Sequence, residues 1–130
     1  MIKSINHFSV NVKNKALTLK FYGEFLKLER LQDIEMEDHR LIYFLLPGGI
    51  KLEFIEYYFS TGEIVTPFTA KGMFRHLAFE VSDIKQVAKD IEFYGGLIMQ
   101  PPKWVERLGL IGMLATDPNG CELEFVQLSN

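Results

Sequence analysis

The sequence contains one segment twice. Pro47-Gly48-Gly49-Ile50-Lys51-Leu52-Glu53-Phe54-Ile55 is echoed by Pro118-Asn119-Gly120-Cys121-Glu122-Leu123-Glu124-Phe125-Val126. Pro, the second Gly, Leu, Glu and Phe are identical at positions 71 residues apart (47 and 118, 53 and 124). A second echo sets His7-Phe8-Ser9-Val10-Asn11-Val12 against His76-Leu77-Ala78-Phe79-Glu80-Val81 at an offset of 69 (7 and 76), so the copies differ by two residues of loop. A duplication on this scale constrains the chain to two copies of one supersecondary unit, each with an apolar face that must be covered. Phe21-Tyr22-Gly23 and Phe93-Tyr94-Gly95 also match, but at different places in their helices, and read as coincidence.

Each copy reads as strand, helix, then three strands. Ile5 to Val12 alternates apolar and polar residues, the mark of a half-buried strand. Asn14 caps a helix to about Leu26, with Leu19, Tyr22 and Leu26 on one stripe. Gly23 inside that helix costs about 1 kcal/mol. Strands are expected near 29–37, 40–46 and 50–57. In the second copy a strand over 74–81 leads to a helix opened by Asp83 and Gln86 as a capping box. Ile84, Val87, Ala88 and Ile91 form its stripe, and Gly95 or Gly96 ends it. Strands near 97–100, 110–116 and 121–127 complete the copy. The two modules cover about 1–57 and 73–130, joined by a linker over 58–72 that holds Phe59 and Phe68.

Composition narrows the function classes. A chain of 130 residues is long enough to bury a core as one domain without a disulfide or structural metal. It is 48% hydrophobic with eleven Phe, which favours sheet. The net charge is −3, without a Lys/Arg cluster, so nucleic acid is not an expected partner. The single cysteine, Cys121, excludes an internal disulfide and fits a reducing compartment. No signal segment opens the chain and every apolar run is too short to span a membrane, so the expected location is the cytoplasm.

Strand parity then selects the chemistry, because successive side chains alternate faces. Phe8, Val10 and Val12 share the face that packs on the helices; His7, Ser9 and Asn11 share the other. Leu77, Phe79 and Val81 go inward, His76, Ala78 and Glu80 outward. Leu52 and Phe54, and Leu123 and Phe125, leave Glu53 and Glu124 on the face away from the helices. Each copy thus offers one His and one Glu, and packing about a pseudo-dyad gathers two of each. Two imidazoles and two carboxylates suit a divalent transition ion such as Ni, Zn, Co, Mn or Fe. Four protein ligands on an octahedral ion leave two positions for adjacent substrate oxygens. That favours Lewis-acid and proton-transfer chemistry over oxygen activation.

These residues resemble the vicinal oxygen chelate superfamily, which includes glyoxalase I, extradiol dioxygenases, fosfomycin-resistance proteins, methylmalonyl-CoA epimerase and bleomycin-binding proteins. The resemblance covers essentially the whole chain. It rests on His7 in Asn-His-Phe-Ser-Val, Phe21-Tyr22, Leu52-Glu53-Phe54, His76 in Arg-His-Leu-Ala-Phe, and Asp117-Pro118-Asn119-Gly120 followed by Glu124. It implies an α+β fold over 1–130, a single glyoxalase-like domain of paired βαβββ modules forming a curved eight-stranded mixed sheet around a metal-binding hollow. The His, Glu, His, Glu order resembles bacterial glyoxalase I most closely. It implies a cytoplasmic, homodimeric lyase or isomerase in which His7, Glu53, His76 and Glu124 hold one divalent ion, Ni or Zn first. Glu53 or Glu124 then shuttles a proton through an enediolate of a hemithioacetal. Asn11 and Tyr57 stand where glutathione-using members carry Arg and Asn, and the basic loop of those members is matched only loosely by Lys103 and Arg107. The thiol, the substrate, and whether the site lies in one chain or across a dimer stay open. The alternatives are a metal-free antibiotic-binding protein, an epimerase, or an epoxide thiol transferase.

Neighbouring candidates are set aside on parity or chemistry. Glu56 faces opposite to Glu53. Glu122 shares the face of Glu124, but its repeat partner is Lys51, which cannot ligate. Glu80 is a candidate for support behind His76. His39 is expected in a solvated turn, and Cys121 as a small buried hydrophobe. The segment from Gln100 to Gly109, with the only Trp, is expected as a loop at the rim or over a substrate.

Overall fold

The computed structural model describes residues 1–59 and 75–129. The linker over 58–72 lies outside the described residues apart from Tyr58 and Phe59, as do Phe68 and the first residue of the strand expected over 74–81. The chain divides into two compact units, Met1–Glu63 and Ile64–Asn130. In the first, β1 (His7–Asn11) leads into α1 (Lys15–Leu19) and a π-helical turn (Lys20–Phe25). Then come β2 (Glu29–Arg30), β3 (Ile34–Glu35), β4 (His39–Leu45) and β5 (Lys51–Tyr57). The sheet order is β1-β5-β4-β2, with β3 also on β4. The second unit runs β6 (Leu77–Glu80), α2 (Ile84–Asp90), β7 (Leu97–Val105), β8 (Leu110–Thr116) and β9 (Glu122–Leu128), in the order β6-β9-β8-β7. In both units the first strand lies parallel to the last, and the last forms an antiparallel hairpin with the strand before it. This is the βαβββ plan, formed twice, and among the described residues the strands fall into two sheets, one per unit.

Alternation along the strands decides what each sheet buries. Ile42, Phe44, Leu52 and Phe54 are fully buried beneath the helix of the first unit, where Tyr22 stacks 4.6 Å from Phe54, ring centroid to centroid. Met113, Ala115, Leu123 and Phe125 do the same in the second unit, together with Ile84 and Ile91 of the α2 segment. Both hairpins turn on a glycine in the left-handed region, Gly49 at φ 84° and Gly120 at φ 86°, where a side chain would be strained.

Several local expectations change. Asn14 does cap α1, accepting from the Leu17 amide at 3.0 Å. The buried stripe, however, is Thr18, Phe21 and Tyr22, not Leu19, Tyr22 and Leu26. The π-helical turn adds a residue per turn and rotates the inward face, carrying both aromatic rings into the core. Gly23 sits in that turn, and a Cβ there would lie 3.6 Å from the Phe44 ring, an ordinary packing distance, so the turn faces β4 without needing glycine for space. The strand expected over 29–37 is two short pieces, β2 and β3, with Arg30 and Asp33 ion-paired between them at 2.8 Å. Asp83 caps α2 through the Gln86 amide at 3.1 Å, but Gln86 turns its own side chain to Asp90, so the box is only half made. Gln127 of β9 takes the Ile84 amide instead, at 2.8 Å.

Gln100 to Val105 is not loop but the second half of β7. Register shifts on either side of Gln100 absorb Pro101 and Pro102. The strand is at the sheet edge, where a residue without an N–H leaves no ladder partner unpaired.

Candidate metal centre

In the first unit, the parallel register of β1 and β5 sets Ser9 opposite Glu53, with His7 two residues away on the same face. His7 Nε2 lies 3.7 Å from Glu53 Oε1. The other ring nitrogen, Nδ1, is held by Asn6 Oδ1 at 2.7 Å, which orients the imidazole with Nε2 toward the carboxylate. Glu53 is only 7% exposed. Its Oε1 accepts from the Ser9 hydroxyl at 3.0 Å and its Oε2 from the Tyr43 hydroxyl at 2.6 Å. That bond to the carboxylate, with burial, pushes the Tyr43 phenol up to about 12.

In the second unit, His76 precedes β6 and its Nε2 lies 2.7 Å from Glu124 Oε2 on β9. Ala78 and Leu114 flank Glu124 in the register. His76 Nδ1 is buried, with no partner among the described residues. Glu122 shares this face but is engaged by the Arg75 guanidinium. In the first unit Glu56, on the opposite face, is 3.7 Å from Arg40.

Each unit therefore presents one imidazole nitrogen beside one carboxylate oxygen. The donor set has the character a divalent transition ion takes: a borderline base and a hard, charge-neutralising oxygen. Glu53 still has a free lone pair on each oxygen after accepting from Ser9 and Tyr43. Among the described residues no three His, Cys, Asp or Glu side chains gather within reach of one ion; what stands on each sheet is a pair.

Sequence reasoning missed Tyr43, although a signal was present. A short turn at Pro47-Gly48-Gly49 pairs Leu45 with Lys51, and counting back along the hairpin brings Tyr43 opposite Glu53. Other candidates are placed differently from their expectation. Trp104 pairs with Ile111, so it lies on the face of Met113 and Ala115, opposite to Glu124, and does not cover that carboxylate. Its indole N–H donates to Glu106 at 2.6 Å. Lys103, paired with Gly112, is on the Glu124 face. His39 is not in a free turn but opens β4, bound to Asp38 at 2.5 Å and packed on the Tyr57 ring. Phe59 is 78% exposed. Glu80 lines a small hollow with Val81, Ser82, Gln127 and Leu128. Cys121 is half-buried, and burial beside Asp117 and Glu122 pushes its thiol up to about 12, so it is no nucleophile at neutral pH. Among the described residues no helix is long and apolar enough to cross a membrane.

The same architecture recurs in solved structures. A glyoxalase family protein from Enterococcus faecalis is 27% identical, aligned over 95% of this chain and 97% of its own, with a TM-score of 0.75. A glyoxalase family protein from Bacillus cereus superposes with a TM-score of 0.83 at 14% identity, covering 99% of this chain and 97% of its own. Glyoxalase I from Zea mays matches 97% of this chain at 22% identity and a TM-score of 0.76, and this chain spans 45% of its length. The last two show a shared fold. No curated protein is significantly similar in sequence. Residues 4–125 match the family described as the Glyoxalase/Bleomycin resistance protein/Dioxygenase superfamily. With the duplicated βαβββ units and a match over nearly the full length, the chain belongs to the glyoxalase/bleomycin resistance protein/dioxygenase superfamily.

Proposed function

We propose that the chain is a metal-dependent lyase or isomerase of the glyoxalase I type. In this reading His7, Glu53, His76 and Glu124 together hold one divalent ion, Ni or Zn first, within one chain or across a homodimer. The substrate is a hemithioacetal or another small molecule with adjacent oxygens, met in the cytoplasm. The observation that carries the reading is the recurrence of one pair, a His Nε2 beside a Glu carboxylate, at equivalent places on both sheets.

A bound divalent ion supplies a Lewis acid that acidifies a C–H next to an oxygen. The chain's own groups do the rest. One glutamate, Glu53 or Glu124, takes the proton from carbon and returns it to the neighbouring carbon, a net isomerisation that needs no oxidant. Asn6 Oδ1 holds Nδ1 of His7, which leaves Nε2 as the ring nitrogen turned toward a ligand position. Ala78 and Leu114 flank Glu124 with apolar groups, so no hydroxyl from the residues directly opposite it occupies the carboxylate oxygens.

The test is a panel of hemithioacetals made from methylglyoxal and different thiols, offered to metal-loaded protein. Turnover of at least one, lost in Glu53→Gln or Glu124→Gln, is the expected result. Turnover of none, or unchanged turnover in both variants, contradicts the proposal.

A further inference from the structure

The two carboxylates are not held alike. Glu53 is gripped from both neighbouring strands, by Ser9 of β1 at 3.0 Å on one oxygen and Tyr43 of β4 at 2.6 Å on the other. The register makes this inevitable once the hydroxyls are present, because both residues stand directly opposite Glu53. The Lys51 ammonium lies 5.5 Å from the centre of the Tyr43 ring and braces it in turn. At the equivalent places beside Glu124 stand Ala78 and Leu114, which donate nothing. Its partner among the described residues is His76.

We propose that Ser9 and Tyr43 are positioning residues: their hydroxyls pin Glu53 as the rigid carboxylate arm of the ligand set, a clamp that Glu124 lacks. This rests on the ligand role proposed above for Glu53. Both contacts are charge-assisted, and the Tyr43 bond is short. Turning the Glu53 side chain breaks both at once, whereas each oxygen keeps a lone pair for a ligand. A carboxylate ordered before the ion arrives loses less freedom on binding, so the clamp raises affinity without touching the ion. Partners of this kind commonly contribute about 10- to 100-fold in metal affinity.

Co2+ titration of the metal-free chain tests this, read by the visible absorption band and by Kd. Wild type binds and Glu53→Gln binds much more weakly. Ser9→Ala and Tyr43→Phe are each expected to weaken binding about 10-fold, and the double variant about 100-fold, with a changed band. Ser9→Thr, which keeps a hydroxyl, restores the wild-type values. A purely structural role lowers the melting temperature of the metal-free protein and leaves Kd and band unmoved. A folded double variant with wild-type Kd and band, alongside a weakened Glu53→Gln, overturns the clamp and spares the ligand assignment. Should Tyr43→Phe not fold, Ser9→Ala at its exposed position decides the same question. Wild type that does not bind Co2+, or Glu53→Gln that binds normally, overturns the ligand assignment and the clamp together.

Discussion

The hairpin that carries Glu53 and the one that carries Glu124 share a turn but stabilise it differently. In the first, Leu46 and Ile50 close the turn by a 2.7 Å backbone bond, Gly49 bonds back to Leu46 at 3.2 Å, and Leu46 itself is buried. In the second, Asp117 and Cys121 close it at 2.9 Å, Gly120 bonds back at 3.0 Å, and the buried Asp117 carboxylate also accepts the amides of Asn119 and Cys121. One backbone path is anchored by an apolar side chain in one copy and by a carboxylate in the other. The site shows the same divergence: two hydroxyls hold Glu53, and one imidazole holds Glu124. The duplication keeps the path and the His–Glu pairs, while the residues that brace them differ.

The comparison breaks first at the carboxylates themselves. Glu53→Gln and Glu124→Gln should each lower turnover with the fold intact by circular dichroism, the one that carries the proton by about 10²- to 10⁴-fold, the range a positioned proton-transfer group contributes. Removing the ion with a chelator should abolish turnover in wild type. Next is the turn: Asp117→Ala leaves the Asn119 and Cys121 amides without their acceptor and should cost about 1–3 kcal/mol in urea unfolding. A loss below about 0.5 kcal/mol would make the carboxylate brace redundant. A graft sharpens the contrast at the site. Ala78→Ser with Leu114→Tyr gives Glu124 the hydroxyls that Glu53 has, and should tighten Co2+ binding while slowing turnover about tenfold, one order being about 1.4 kcal/mol in the barrier. Faster turnover in the grafted variant would sink the idea that the lack of hydroxyl donors beside Glu124 matters.

The smallest effect concerns Cys121. Its thiol is raised to about 12, so the folded state holds the proton more tightly than the unfolded chain. This contribution is fully present below the ordinary thiol range near pH 8.5 and is lost as pH rises toward about 12. Unfolding midpoints should therefore fall with pH across that alkaline window, less steeply in Cys121→Ala. An identical slope in both proteins would contradict a buried, protonated thiol.

Much of this was legible in the chain. The repeat carried the strand order, and two-residue periodicity separated Leu52 and Phe54 from Glu53 because a sheet face is set by parity alone. What parity cannot supply is lateral register. Ser9 was on the right face, but its place opposite Glu53 depends on how the parallel strands slide, which no local spacing encodes. The helix failed differently: Thr18 and Phe21 replaced Leu19 and Leu26 in the core because a π-helical turn breaks the 3.6-residue period. Pro101-Pro102 read as a loop because a breaker's effect depends on whether the strand is at an edge, a property of the whole sheet.

The most direct test of the account is elemental analysis of the purified protein and of four single variants, His7→Ala, Glu53→Gln, His76→Ala and Glu124→Gln. The account predicts one divalent ion per chain in wild type and its loss from every variant, whichever unit is altered. Wild type without a divalent ion, or full metal content after one unit's pair is replaced, would contradict it.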